Sequence, residues 1–304
     1  MKKILFLLLV SFSFVLQAQE ISNTDSTGLP GDNLDLAAVL NLFKNSKTPE
    51  DFESQLNSAD NAVNNLDLNG DGKSDYIGIF EYNEENANAL VLRVNVNEKE
   101  SQDVAVIAIE KTGTESARLQ IIGDEEIYGS SVVAEPYDEK SELKGSGPYG
   151  LLETKIVIVN VWAWPAVRFI YGPVWKPWRS PYYWGFYPPY WKPWKPLGWR
   201  NYRKRVYGYG PMVVFGPTIY VKKAHKVYAP HKVYSPVVKV KYAPAHAWHK
   251  AQYKAKPHNG KSGSTSPQSG KTKTGKTNSK EKVKQNSNPK SKSSAKPNQG
   301  RRRR

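Results

Sequence analysis

DYIGIFEYNEENANALVLRVNVNEKESQDVAVIAIEKTGTESARLQIIG, residues 75–123, decides the fold. Apolar residues alternate with others at Ile77-Ile79, Leu90-Leu92-Val94-Val96, Val104-Val106-Ala108 and Leu119-Ile121. A period of two puts every second side chain on one face, the mark of a half-buried strand. The links are short and hold Asn83 to Asn86, Asn97 to Ser101, and Thr112-Gly113-Thr114. Links of that length turn a chain back beside itself, which predicts an antiparallel meander.

Upstream, Leu36, Val39, Leu40 and Phe43 fall at helical spacing, with Asp32 or Asn33 as the N-cap. Thr48-Pro49-Glu50-Asp51 reads as a second helix start: a capping Thr, Pro at the first helical position, and acids near the positive end of the dipole. Phe52 and Leu56, four apart, would pack on the first helix, giving a short helical hairpin. Downstream, Ile127-Tyr128 and Val132-Val133 read as a further strand pair, and Lys155–Trp162 as the last strong strand. The fold class is therefore α+β, in one domain spanning residues 33–165, of a size that holds one core.

Between the helices and the meander lies Asp67-Leu68-Asn69-Gly70-Asp71-Gly72-Lys73-Ser74-Asp75. Side-chain oxygens stand at loop positions 1, 3, 5 and 9, a Gly at position 6 permits the sharp turn, and Lys73 at position 7 offers its carbonyl. Hard Ca²⁺ takes six to eight oxygens in a flexible ring, and this spacing supplies them from one loop. The pattern resembles the calcium loops of dockerins, thrombospondin type 3 repeats and integrin-type propeller blades. That resemblance implies Asp67, Asn69, Asp71 and Asp75 as side-chain ligands of Ca²⁺. The loop is not a paired sensor hand, since position 12 is Gly78 and the following residues read as a strand. Glu81 or Glu84 is then the carboxylate that would complete the shell. The bland alternative is an Asn/Asp/Gly-rich turn without metal.

Charge divides the chain. Glu20 to Lys155 holds 27 acidic and 10 basic residues, a net of −17. Ile156 to Lys250 holds 16 Lys/Arg and no acid, and Ala251 to Arg304 another 16 with the single acid Glu281. Asymmetry of this kind speaks of partners: polyanions, or the opposite field of the chain's own other half. All nine Trp lie between Trp162 and Trp248, densest in VWKPWRSPYYWGFYPPYWKPWKPLGWRNYRKR, residues 174–205. Pro recurs every few residues there, which predicts an extended segment over 166–255. Trp-Lys-Pro-Trp occurs at 175–178 and 191–194, and His-Lys-Val-Tyr-Ala/Ser-Pro at 225–230 and 231–236. Rings among cations stack on bases or sugars, and indoles favour a membrane interface. Trp175, Trp178, Trp184, Trp191, Trp194 and Trp199 with Arg200, Arg203, Lys204 and Arg205 are the candidate surface-binding residues. The stretch is similar in composition to Trp/Pro-rich cationic host-defence peptides. Against this stands packing of the rings on the sheet, the reading preferred for Trp162 and Trp164.

The ends carry their own signals. Lys2 and Lys3, an apolar run Ile4–Leu16 and the small Ala18 read as a signal peptide, residues 1–18, with cleavage after Ala18 or Gln19 and a linker over 19–32. Residues 256–304 are Lys, Ser, Asn, Gly, Pro and Gln, closing on Arg301, Arg302, Arg303 and Arg304, a composition that reads as a disordered polyanion-binding tail. With no Cys there is no disulfide and no thiol chemistry. The five His, loosely spaced, do not form a transition-metal pattern.

NNLDLNGDGKSDYI (64–77), QDVAVIAIEKTG (102–113), LQIIGDEEIYG (119–129) and VNVWAWPAVRFIYGP (159–173) together resemble a group of uncharacterised exported bacterial envelope proteins. The resemblance implies secretion and the calcium-type loop but supplies no activity. The expectation is a non-catalytic exported protein, periplasmic, outer-membrane-associated or secreted. It would bind anionic envelope polymer or lipid headgroups through its basic half. Extracellular nucleic acid is the second candidate partner, and association of the acidic and basic halves a further one. A carboxylate-dependent enzyme on envelope glycans stays open through the many Asp and Glu.

Overall fold

The computed structural model describes residues 26–136, 158–209, 213–216 and 218–255, the side chains of 213–216 and 252–255 aside. The chain divides into two compact units, Met1–Pro257 and His258–Arg304, the second outside the described residues. The expected signal peptide and the first half of the linker also fall outside them.

The helical hairpin forms as its sequence dictates. Helix α1, Leu36–Asn45, starts one turn later than Asp32 or Asn33 would place it, because Asp35 is the cap. Its Oδ1 accepts from the amides of Ala37 and Ala38 at 3.0 Å. Helix α2, Pro49–Leu56, starts on Thr48, whose Oγ1 accepts from the Asp51 amide at 3.1 Å. Phe43 of α1 and Phe52 of α2 meet edge to face with ring centres 5.3 Å apart.

The meander follows. Strands β1 (Ile77–Glu84), β2 (Ala87–Asn95), β3 (Ser101–Gly113), β4 (Ser116–Gly123), β5 (Val132–Pro136) and β6 (Val213–Gly216) pair antiparallel in sequence order. Register is set by short turns, with Glu84 opposite Ala87 and Gly113 opposite Ser116. A bulge after Leu92 brings Arg93 opposite Asp103, an ion pair at 2.5 Å. Ile79, Leu90, Leu92, Ile107, Leu119 and Ile121 form one buried face against α1 and α2. The opposite face carries small residues, Ala87, Ala89 and Ala108, with Val91 and Val106. Small side chains let a helix approach closely, and that face is covered by Val221, Ala224 and Tyr228 from beyond residue 218. The sheet is therefore buried on both sides.

Between β4 and β5 the chain makes one short helix, α3 (Glu125–Tyr128). Ile127-Tyr128 is helical rather than a strand because Asp124 caps α3 through the Glu126 amide. Past the first five strands the chain differs from the extended segment expected for 166–255. It forms helices α4 (Pro165–Ile170), α5 (Trp199–Val206), α6 (Lys222–Tyr228) and α7 (Pro236–Ala255). The physical reason lies in where the prolines fall. Pro165 and Pro236 occupy first-turn positions, which have no use for the missing amide, and α5 and α6 lie in Pro-free windows. Among the described residues, only Pro244 sits in a helix interior. Irregular chain dominates between α4 and α5. The described part of Lys155–Trp162 is not a strand either: Asn160 turns it, its Oδ1 accepting from the Ala117 and Trp162 amides. Nor is there a boundary near residue 165, since α6 completes the core begun by β2 and β3.

Candidate functional site

The Asp67–Asp75 loop is tightly self-bonded. Asp67 Oδ1 accepts from the Gly70 and Asp71 amides at 2.7 and 3.1 Å, and Oδ2 from Gly72 at 2.9 Å. Asn69 Oδ1 accepts from Asp71, and Asp71 Oδ1 from Lys73, at 2.9 and 2.8 Å. Gly70 and Gly72 take φ of +80° and +78°, which a side chain would oppose. Asp75 lies buried at the base, its Oδ2 on the Leu68 amide. Burial, with Asp67 and Asp71 nearby, pushes its carboxyl up to about 7. Asp67 and Asp71 are near enough to raise the Asp75 carboxyl, but their oxygens are turned to loop amides, and among the described residues no His/Cys/Asp/Glu group is gathered to hold a metal. Lys241 and Tyr242 of α7 reach the outside of this loop: Lys241 Nζ donates to the Leu68 carbonyl at 2.9 Å and Tyr242 Oη to the Asp67 carbonyl at 3.3 Å. Glu84 is exposed at a hairpin end, and Glu81 is committed elsewhere.

That commitment is to the Trp-rich segment. Glu81 is fully buried and accepts from Trp175 Nε1 at 2.9 Å, the Trp178 amide at 2.9 Å and Asn88 Nδ2 at 2.6 Å. Glu53, equally buried, accepts from Trp178 Nε1 at 2.9 Å, the Ile79 amide at 2.8 Å, Tyr76 Oη at 2.8 Å and Ser180 Oγ at 2.8 Å. Burial raises both carboxyls, and the donors partly offset it. The first Trp-Lys-Pro-Trp copy also extends the sheet, the Trp178 carbonyl taking the Glu81 amide and the Ser180 amide donating to Ile79. The second copy repeats the device on the approach to β1. Trp191 is buried against Tyr76, and Trp194 exchanges hydrogen bonds with Ser74, through its amide at 3.0 Å and its carbonyl at 2.7 Å.

Of the six tryptophans expected at the surface, Trp191 is therefore buried, and Trp175 and Trp178 are half-buried and held by glutamates. Trp184, Trp194 and Trp199 are half-buried as well. Among the described residues, the rings that do face solvent are Tyr183, Phe186, Tyr190, Tyr207, Tyr234 and Trp248. Trp164 packs on Phe43 and Trp162 on Tyr171, as core rings.

Glu53 borders a cleft of 250 Å³ with Glu50, Asp51, Tyr182 and Tyr190, the setting of a general acid. Its bonding argues against that role. A carboxylate offers about four lone-pair sites, and four donors occupy them. It rivets the two halves together.

The same logic recurs along the basic half. Asp103 accepts from Arg93, Tyr228 Oη at 3.1 Å and the Val233 amide at 2.7 Å. Glu110 accepts from the Lys223 amide at 2.7 Å, and Glu100 from Ser235 Oγ and the Val237 amide. Lys232 pairs with Asp124 at 2.8 Å and Arg203 with Asp35 at 3.1 Å. His231 stacks on Tyr82, ring centres 4.1 Å apart. The two His-Lys-Val-Tyr repeats are thus a docking strip. Arg205 donates to the Asp60 carbonyl, and Lys204 is exposed. Arg200 lines a pocket of 640 Å³ with Trp199, Asn201 and Trp248. Lys176, Lys192, Lys195, Lys222, Lys226 and Lys250 are exposed and make no ion pair among the described residues. Arg301–Arg304 lie outside those residues.

No family model, curated protein or solved structure matches the chain. No described helix is long and apolar enough to cross a membrane.

Proposed function

We propose that this is a non-catalytic exported envelope protein that binds anionic polymer or a membrane surface through its basic half. The observation that carries the reading is the division of labour among charges. Acids of the first half are spent as acceptors for backbone amides, indoles and hydroxyls of the second, whereas exposed lysines between Lys176 and Lys250, Lys192, Lys195, Lys222 and Lys226 among them, have no carboxylate partner among the described residues. The basic half keeps its positive field after docking. Nucleic acid is the alternative polyanion, since phosphate contacts alone would serve it equally.

Ca²⁺ belongs to the reading as a stiffener of the Asp67–Asp75 loop. Asp67, Asn69, Asp71 and Asp75, with the Lys73 carbonyl, would hold it, and the mutual repulsion of three carboxylates is what it would relieve.

Binding of the full chain to inorganic polyphosphate, DNA and purified cell wall across a salt series tests the function. Counter-ion release predicts a linear fall of log affinity with log salt. Affinity that is absent at low salt, or flat with salt, would refute it.

A further inference from the structure

Residues 181–190, PYYWGFYPPY, form a knuckle standing off β1. Its root is fixed: Ser180 donates its amide to Ile79 at 2.9 Å and its hydroxyl to Glu53 at 2.8 Å. Its tip is a tight turn in which Tyr183 and Phe186 exchange amide–carbonyl bonds at 3.1 and 2.8 Å. Gly185 takes φ +78° there, the left-handed value such a turn demands at its third residue. Underneath, Tyr182 and Tyr187 pack on Tyr76 with ring centres 5.5 and 5.8 Å away. Above, Tyr183 and Phe186 stack on each other at 5.1 Å and face solvent. They are 61% and 50% exposed, and Tyr190 59%.

Large rings held out by a rigid base need a reason, since the same chain buries Trp191 one residue beyond. We propose that the knuckle inserts into the interfacial layer of an anionic phospholipid bilayer. This deepens the reading above and rests on it, choosing lipid over soluble polymer as the partner of this face. Tyr, Trp and Phe are the side chains that settle at headgroup depth, apolar body inward and polar edge outward. Lys176 before the knuckle, and Lys192 and Lys195 after it, are exposed and suited to anionic headgroups. Of the acids in the adjoining cleft, Glu53 is buried beneath its four donors, and Glu50 and Asp51 are the opposing charges that the three lysines outnumber. The turn is already ordered, so insertion freezes little chain entropy. A polyanion without rings of its own, such as polyphosphate, would use the lysines and gain little from two stacked rings at a turn.

The test measures partitioning of the full chain onto vesicles of equimolar phosphatidylglycerol and phosphatidylcholine, beside its affinity for inorganic polyphosphate. The Tyr183→Ser/Phe186→Ser variant should lose at least about tenfold on vesicles, which is about 1.4 kcal/mol. It should melt with the parent and bind polyphosphate unchanged. Tyr183→Trp/Phe186→Trp should retain vesicle binding, and brominated lipid should quench the parent more than Trp184→Phe. Equal partitioning of the Ser variant and the parent overturns the inference. So does an equal loss on vesicles and polyphosphate, or a parent dimer that the Ser variant dissolves without change on vesicles. Vesicle binding without polyphosphate binding would instead sink the polyanion reading and leave the knuckle standing.

Discussion

Replacing Glu53 separates a structural rivet from a merely buried acid. Glu53→Ala removes the acceptor of four donors: the Ile79 amide, Tyr76 Oη, Ser180 Oγ and Trp178 Nε1. Three belong to buried residues, and Trp178 is half-buried. At about 1–3 kcal/mol for each buried orphan, the loss is at least about 3 kcal/mol, a large part of a domain's usual stability. Glu53→Gln should cost far less, about 1 kcal/mol. Its carboxamide can keep oxygen toward Ile79 and Trp178 and turn its NH₂ toward the hydroxyls of Tyr76 and Ser180, which can accept as well as donate. The pair also reports on pH. Burial raises the Glu53 carboxyl, so the folded chain keeps a proton that the unfolded chain releases above about pH 4.3. Its contribution to stability is complete below that pH and is lost as pH rises through the folded-state value, at up to about 1.4 kcal/mol per pH unit. The carboxamide of the Glu53→Gln variant cannot titrate, so the parent's advantage over it should shrink with rising pH. Urea denaturation of the full chain, followed by Trp fluorescence at several pH values, reads both effects. An Ala variant costing under about 1 kcal/mol, or one indistinguishable from the Gln variant, would refute the reasoning.

Asp103→Ala should cost about 3–5 kcal/mol in the same assay, because Arg93, Tyr228 and Val233 lose their acceptor. Replacing Arg93 and Asp103 together by Met and Leu should recover part of it. Millimolar Ca²⁺ should raise the melting temperature of the full chain, by about 2.7 kcal/mol of stabilisation at a hundredfold excess over Kd. Asp71→Ala should abolish that shift; no shift in the parent would dismiss the metal. Truncation after Ala255 should leave the unfolding transition in place while lowering the salt slope of polyphosphate binding, and a fall of several degrees would contradict the reading of the tail as dispensable.

What was legible in the sequence was local. The alternation of residues 77–121 marked strands with the right partners, because period and turn length together determine register. Thr48-Pro49 marked a helix start because cap and first-turn Pro act within three residues. The cover of the second sheet face went unread: the strands read as half-buried, with Val106 and Ala108 in one set with Val104, whereas Val106 and Ala108 lie on the second face with Ala89 and Val91 under α6. Pairings across the chain left no such mark. Trp178 needs an acceptor for its indole, but nothing in one sequence says it is Glu53, 125 residues earlier. The exposed knuckle was hidden for a similar reason: all its aromatic residues look alike in composition, and only the turn at Gly185 sorts Tyr183 and Phe186 from Trp191.

The rivets also set a timetable. A ribosome delivers residue 53 long before residue 178, and residue 103 before residue 233, each gap exceeding a hundred residues. Until the later donors arrive, Glu53, Glu81 and Asp103 have every reason to stay in water. Residues 20–155, with their net of −17, repel one another meanwhile. The burial of these carboxylates therefore waits on the basic half, because a buried charge without its donors is costly.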